Sequence, residues 1–267
     1  MQPAATLSIT LIQTDIAWES PEQNLAHYAR VIAGLPRPQE IVLLPEMFAT
    51  GFSMAPDRLA ETMDGRSVSW MRETAAKHRI ILAGSLIIED GGVYYNRLIW
   101  MQPDGVCHSY DKRHLFGYAG EDEHYSPGDT RLIVQVKGWR ICPLVCYDLR
   151  FPVWARNAGH DSDGRPPYDV LLYVANWPER RSLAWKTLLQ ARAIENQSYC
   201  IGLNRVGEDG KGIRYSGDSS VFGPLGEMLW QRSNEAVVHT EVLQWEQLNS
   251  ARAQFPFLRD ADKFILS

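Results

Sequence analysis

Short apolar runs of strand length recur along this chain, and stretches of helical period separate several of them. That alternation restricts the fold more than any other feature. Thr6–Gln13, 41–44, 80–89, Val93–Met101, 132–136, 140–145, Val170–Ala175 and 199–205 read as strands. Residues 21–34, opened by Pro21 and closed by Gly34, read as a helix, as do Arg66–His78 and Ser182–Asn196. The last of these carries its apolar positions at Leu183, Leu188, Leu189, Ala193 and Ile194. A shorter helix is expected over 153–159. Gly91-Gly92 and Asp104-Gly105 mark tight turns, 207–212 another, and 219–222 with 227–230 a late hairpin. Interleaved elements of both kinds favour α/β layers around mixed sheets. No internal repeat or linker interrupts them. Residues 161–167 read as a loop too short to divide domains, so 1–267 is expected to form a single domain.

The bulk composition excludes several functional classes. The chain has 267 residues, 45% of them hydrophobic, and 9 Trp, 11 Tyr and 8 Phe, enough for a packed core and an aromatic-lined pocket. Its formal net charge is -5, with Lys and Arg scattered, so neither nucleic acid nor an anionic membrane is an expected partner. No apolar stretch approaches the ~18 residues of a membrane span. No charged-then-apolar leader opens the chain, which argues against a signal peptide. The four cysteines, Cys107, Cys142, Cys146 and Cys200, are therefore expected as reduced thiols in the cytoplasm. Cys142 and Cys146 share a strand face, but no second Cys/His pair has ligand spacing, so no metal site is expected.

Three of the runs break abruptly into a reactive side chain. Glu46 follows the run 41–44 and Pro45, Lys112 follows the run 106–111, and Cys146 ends 140–145. Taken singly, each has a plain reading. A strand-end cysteine is usually a small buried apolar residue, Lys112 between Asp111 and Arg113 is an ordinary surface charge, and Glu46 caps or pairs with a cation. Taken together, an acid, a base and a soft nucleophile at three strand ends suggest covalent acyl chemistry. In that reading, Lys112 and Glu46 raise the reactive fraction of a thiol whose ordinary pKa is about 8.5. Glu46 moves the thiol proton. Lys112 and the backbone N–H of Tyr147 hold an oxyanion.

The segments Leu44-Pro45-Glu46-Met47-Phe48, Tyr110-Asp111-Lys112-Arg113-His114-Leu115-Phe116 and Val145-Cys146-Tyr147-Asp148-Leu149-Arg150-Phe151-Pro152 resemble the three signatures of the nitrilase (carbon–nitrogen hydrolase) superfamily, in its order and at similar separations. The resemblance runs from about Thr6 to about Gln244. It implies a four-layer α-β-β-α sandwich, a homodimer extended across a helical interface, and amide hydrolysis through a thioester with no metal or organic cofactor. It also implies a second glutamate that orients the lysine, here Glu121 rather than Glu123, and a pocket-lining turn at Asn176-Trp177-Pro178.

Within the superfamily the chain looks most like the ω-amidases, which hydrolyse the terminal amide of 2-oxo dicarboxylic acid monoamides such as 2-oxoglutaramate and 2-oxosuccinamate. The carboxylate of such a substrate calls for a cation and an aromatic wall. Arg180 or Arg181, beside Trp177, is expected to supply the cation, and Phe48 and Tyr118 the apolar walls. Arg150 is expected to make structural ion pairs behind Cys146, and Trp185 to pack in the core or at a dimer surface. The competing readings are another hydrolase branch (nitrilase, N-carbamoyl amidase or aliphatic amidase) and a non-catalytic binding protein on the same fold.

Overall fold

In the computed structural model, which describes residues 2–159 and 164–262, the strands form two mixed sheets. The first half of the chain supplies β1 (Thr6–Gln13), β2 (Ile41–Leu43), β3 (Ile81–Asp90), β4 (Val93–Met101) and β5 (Cys107–Asp111). The second half supplies β6 (Val134–Val136), β7 (Trp139–Val145), β8 (Val170–Ala175), β9 (Tyr199–Asn204), β10 (Val206–Glu208), β11 (Arg214–Phe222), β12 (Met228–Ser233) and β13 (Val237–Gln244). The first sheet runs β13-β1-β2-β3-β4-β5, and the second β10-β11-β9-β8-β7-β6 with β12 on β11. Each has a parallel centre, β1-β2-β3 and β7-β8-β9, flanked by antiparallel strands.

Side-chain alternation along the strands dictates the layering. Ile41 and Leu43 of β2, with Leu7, Ile9 and Leu11 of β1, face the second sheet in a core shared with Ile141, Leu144 and Leu172. Val42, Leu82 and Ile99 point the other way, onto α1 (Pro21–Ala33) and, beyond the one-turn α2 (Pro56–Leu59), α3 (Arg66–His78). The single-turn helices α4 (Glu121–His124) and α5 (Pro152–Ala155) lie in loops. On the outer face of the second sheet lies α6 (Ser182–Asn196), with Trp185, Leu189 and Ala193 buried. It lies so close to β9 that a Cβ on Gly202 would come within 2.3 Å of a Leu189 methyl carbon. The result is the expected α-β-β-α sandwich, with α7 (Trp245–Gln254) following β13.

Several boundaries differ from the sequence reading. The expected 153–159 helix is only the single turn of α5, and the expected 132–136 strand begins at Val134. Residues 160–163 of the expected loop lie outside the described residues. Neither β13 nor α7 stands out in the sequence, because β13 alternates half-exposed and exposed side chains, with His239 and Glu241 among them, and presents no apolar run. The Gly91-Gly92 turn is found as expected, with φ of 63° and 83°, the paired left-handed values that a two-residue hairpin turn requires. Among the described residues no helix is long and apolar enough to cross a membrane.

The topology also explains how distant residues meet. Since β4 is antiparallel to both β3 and β5, β5 runs in the direction of β2 and β3. The chain therefore leaves β2 towards Glu46 and β5 towards Lys112 at the same edge of the sheet. Likewise β7 and β8 are parallel, so Cys146 and Asn176 leave the second sheet side by side.

Candidate active site

Glu46, Lys112 and Glu121 are fully buried, and Cys146 is 7% exposed. The ammonium of Lys112 donates to Glu46 Oε1 at 2.9 Å and to both oxygens of Glu121 at 2.9 and 2.8 Å. The Asn96 amide joins the same two carboxylates, donating to Glu46 Oε1 at 2.8 Å and Glu121 Oε1 at 3.1 Å. The other Glu46 oxygen accepts the backbone N–H of Asn176 at 2.7 Å, and the Asn176 side chain returns a bond to the Glu46 carbonyl at 2.6 Å. Two carboxylates thus share one ammonium, and hydrogen bonds offset the cost of removing these charges from water.

Cys146 begins a tight 3-10 turn (Cys146–Arg150) at a φ of 46°, a left-handed conformation rare outside glycine. Such strain costs on the order of 1–3 kcal/mol and persists where the surroundings impose it. The thiol points to the Asn176 carbonyl oxygen, 4.0 Å from its sulfur, and the Glu46 carboxylate is close enough to act on its charge. Tyr147 is the next residue of the turn, where a backbone N–H has no acceptor earlier in the turn.

Electrostatics corrects one expectation. Burial, together with the negative charge of Glu46, pushes the Cys146 thiol well above its ordinary pKa; Lys112 opposes this without prevailing. Cys146 therefore rests as a thiol, not as the partly ionised group expected from the sequence. For Lys112 burial disfavours the charge, but Glu121 and Glu46 outweigh it and hold the pKa above the ordinary lysine value. Burial also raises Glu121, against the pull of Lys112.

Above Cys146 opens a cavity of about 240 Å³. Glu46 and Lys112 lie beneath its floor, and Cys146, Tyr147 and Asn176 reach its surface. Phe52, Phe116, Tyr118, Trp177, Ile213 and Tyr215 make its walls largely apolar. Arg150, Arg180, Arg181 and Lys211 add four cations. The arginines are carried on aromatic faces: Arg150 lies 5.0 Å from the Trp177 ring centre, Arg181 4.9 Å from Phe116 and Arg180 5.9 Å from Tyr118. Among the described residues none of these three guanidinium groups has an ion-pair partner. Burial, and repulsion from Arg180, lower the pKa of Arg181.

Most residues singled out from the sequence converge here. Glu46, Lys112 and Glu121 form one hydrogen-bonded cluster with Cys146 beside it, and Tyr118, Tyr147, Asn176, Trp177, Arg180 and Arg181 line the cavity. Glu123, by contrast, is exposed. Two expectations fail. Phe48 is not a cavity wall. The chain turns at Met47 (φ 43°), whose N–H bonds the Ser85 hydroxyl at 2.8 Å, and the Phe48 ring then packs between Tyr28 of α1 and Trp70 of α3, at 5.6 and 6.0 Å. Arg150 is not tied up in ion pairs behind Cys146; the 3-10 turn carries it round to the cavity wall. Trp185 is a core residue, 5.4 Å from Trp177 and donating to the Asp218 carbonyl.

The sequence reading missed Asn96, Phe52, Phe116, Lys211 and Tyr215. Asn96 had a signal, as a polar residue at a buried position of β4, level with Ile87; Phe116 closes the signature segment that carries Lys112, whereas Phe52, Lys211 and Tyr215 come from loops and from β11 with no pattern to mark them. Among the described residues, no group of three or more His, Cys, Asp or Glu side chains could hold a metal ion.

Comparison with known proteins matches residues 8–253 to the carbon-nitrogen hydrolase family model. The chain is 44% identical to the omega-amidase YafV of Escherichia coli (strain K12) over 97% of its own length and 98% of that protein's. It is 32% identical to a 2-oxoglutaramate amidase of Bacillus subtilis (strain 168), over 96% and 98% of the two lengths. Its fold superposes with a TM-score of 0.96, at 43% identity and covering 99% and 100% of the chains, on the crystal structure of a CN-hydrolase superfamily protein from Xanthomonas campestris that carries an arsenic adduct in its active site.

Proposed function

This chain belongs to the carbon–nitrogen hydrolase family, and from that premise we propose that it is an ω-amidase. It is a hydrolase of carbon–nitrogen bonds other than peptide bonds, acting on a small amide. In this reading the substrates are 2-oxo dicarboxylic acid monoamides such as 2-oxoglutaramate and 2-oxosuccinamate, and the products are the 2-oxo diacid and ammonia. The observation that carries the reading is a cavity with a thiol at its floor and, on its walls, arginines that have no ion-pair partner among the described residues. Such a cavity suits a molecule with an amide at one end and a carboxylate at the other.

The mechanism follows from the groups present. Glu46 accepts the Cys146 proton as the sulfur attacks the amide carbon, because the buried thiol does not ionise beforehand. The carbonyl oxygen becomes an oxyanion held by the Lys112 ammonium and the Tyr147 N–H. Glu46 returns the proton to the nitrogen, the C–N bond breaks, and ammonia leaves a thioester. Water, deprotonated by Glu46, then attacks the thioester; the C–S bond breaks, the sulfur regains the proton and the acid departs. Glu121 holds Lys112 charged and in place. Arg150 joins Arg180 and Arg181 as a candidate for the remote carboxylate, with Tyr118, Asn176 and Trp177 completing the binding site.

The whole chain, 1–267, acts as one domain in this reading. The enzyme assembles as a homodimer through its outer helical layer, where Leu183 and Ile194 of α6 are exposed. It works in the cytoplasm, where thiols such as Cys146 stay reduced.

The test is ammonia release from 2-oxoglutaramate, 2-oxosuccinamate, glutamine, a simple aliphatic amide and a nitrile, with wild type beside Cys146→Ala. Turnover confined to the 2-oxo monoamides and dependent on Cys146 is expected. Turnover of another member of the set would keep the mechanism and discard the substrate.

A further inference from the structure

We propose that Asp148 is a positioning residue that sets Lys112 against Cys146; the inference rests on the amidase reading above. Asp148 is fully buried two residues after Cys146. One of its oxygens accepts the backbone N–H of Val145 at 3.1 Å, so it grips the residue that precedes the nucleophile. The same oxygen accepts the Tyr110 hydroxyl at 2.8 Å. The other accepts both the backbone N–H and the ring Nδ1 of His114, at 3.0 and 2.8 Å. Tyr110 and His114 stand two residues on either side of Lys112.

One carboxylate therefore holds the chain before Cys146 and on both sides of Lys112. Two further contacts reinforce the tie. The Tyr110 oxygen accepts the indole N–H of Trp154 at 3.0 Å and the backbone N–H of Arg113 at 3.2 Å. The His114 ring stacks on Phe151, the residue that follows the nucleophile's turn, at 3.8 Å and an interplanar angle of 6°. His114 thus serves Asp148. Asp148 does not line the cavity, so its effect on catalysis passes through the two residues it aligns.

The consequence is geometric. Lys112 comes from the first sheet and Cys146 from the second, so the oxyanion donor and the nucleophile are aligned only as well as the two sheets are. A misplacement of 1 Å at such a pair costs on the order of 10²-fold in rate. Replacing Asp148 by Asn keeps the shape but turns one acceptor into a donor that faces other donors.

The experiment compares wild type, Asp148→Asn and Tyr110→Phe in two reactions: 2-oxoglutaramate hydrolysis and alkylation of Cys146 by iodoacetamide. Alkylation needs the thiol and Glu46 but forms no oxyanion. For Asp148→Asn the expected result is a kcat lowered by about 10–100-fold with KM within about twofold. Alkylation stays close to wild type. Tyr110→Phe keeps the ring but loses the hydroxyl's bond to Asp148 and the two it accepts from Trp154 and Arg113, while His114 and Val145 stay bonded to Asp148; it shows the same split at smaller size and carries the test if Asp148→Asn does not fold. An unchanged kcat in folded variants would overturn the inference, as would hydrolysis and alkylation falling in parallel. A wild type silent on every ω-amide removes the amidase reading and this inference with it, whereas an active wild type with unaffected variants removes the inference alone.

Discussion

The floor of the cavity and its mouth both hold several charges and treat them in opposite ways. On the floor, Lys112 is enclosed by Glu46 and Glu121, with Asn96 bridging the carboxylates, and no side chain of the cluster but Cys146 is measurably exposed. At the mouth, Arg150, Arg180 and Arg181 lie over aromatic rings, half-buried or exposed, without carboxylate partners among the described residues. A closed network fixes the position of each member and the location of its proton. An open array of like charges lacks counter-charge and is completed by an anion from outside. On the function proposed here the floor does the chemistry and the mouth the recognition, and mutations in the two should separate cleanly in kinetics and stability.

The largest effect belongs to Cys146→Ala, which should abolish turnover while far-UV circular dichroism and Tm stay near wild type, since only the thioester route is lost. Residual turnover above background would remove the nucleophile from this site. Glu46→Gln should lower kcat by about 10²–10⁴-fold, measured by ammonia release, if the carboxylate moves the proton. Lys112→Ala should be nearly as damaging to kcat and, unlike Cys146→Ala, should also destabilise the fold by about 3–5 kcal/mol in denaturant melts, because it leaves two buried carboxylates facing each other.

At the mouth, Arg150→Ala should raise KM for 2-oxoglutaramate by about 10–100-fold, the worth of a hydrogen bond to a charged group, with kcat and Tm little changed. A fall in Tm instead would return Arg150 to the structural role first expected from the sequence. The smallest expected change is in pH response. A free thiol of pKa about 8.5 would become roughly 20-fold more reactive between pH 7 and 9. Because the Cys146 pKa is raised, the folded enzyme keeps its proton through that window, and attack through the free thiolate would rise about tenfold per pH unit across it. Alkylation in which Glu46 takes the proton as the sulfur attacks needs no prior ionisation and should vary little instead, and a steep rise with pH would show that Glu46 does not assist the thiol.

The floor was far more legible in the sequence than the mouth. Glu46, Lys112 and Cys146 each follow a strand, and strand ends can be read from short apolar runs; the order of the signature segments then tied the three together. Glu121 was found only through that resemblance, as nothing in its one-turn helix distinguishes it from Glu123. At the mouth, Arg180 and Arg181 were found by their nearness to Trp177. Arg150 was placed on the wrong side of the nucleophile and Phe48 on the wrong side of the sheet. Both follow a residue in the left-handed region, Cys146 at 46° and Met47 at 43°. A single such dihedral redirects the side chains that follow, and neither residue type announces it.

By itself the sequence determined the alternation of buried strands and amphipathic helices, hence the layered α/β architecture, and the presence of an acid, an amine and a thiol at three strand ends. These are local properties, set by side-chain period and by where apolar runs stop. Tertiary structure decided the rest: that β2 and β5 deliver Glu46 and Lys112 to one edge, that Asp148 ties that edge to the nucleophile's turn, that burial keeps the proton on Cys146, and that Arg150 faces the cavity. Each of those depends on the distance between segments far apart in the chain and on the water excluded when they pack.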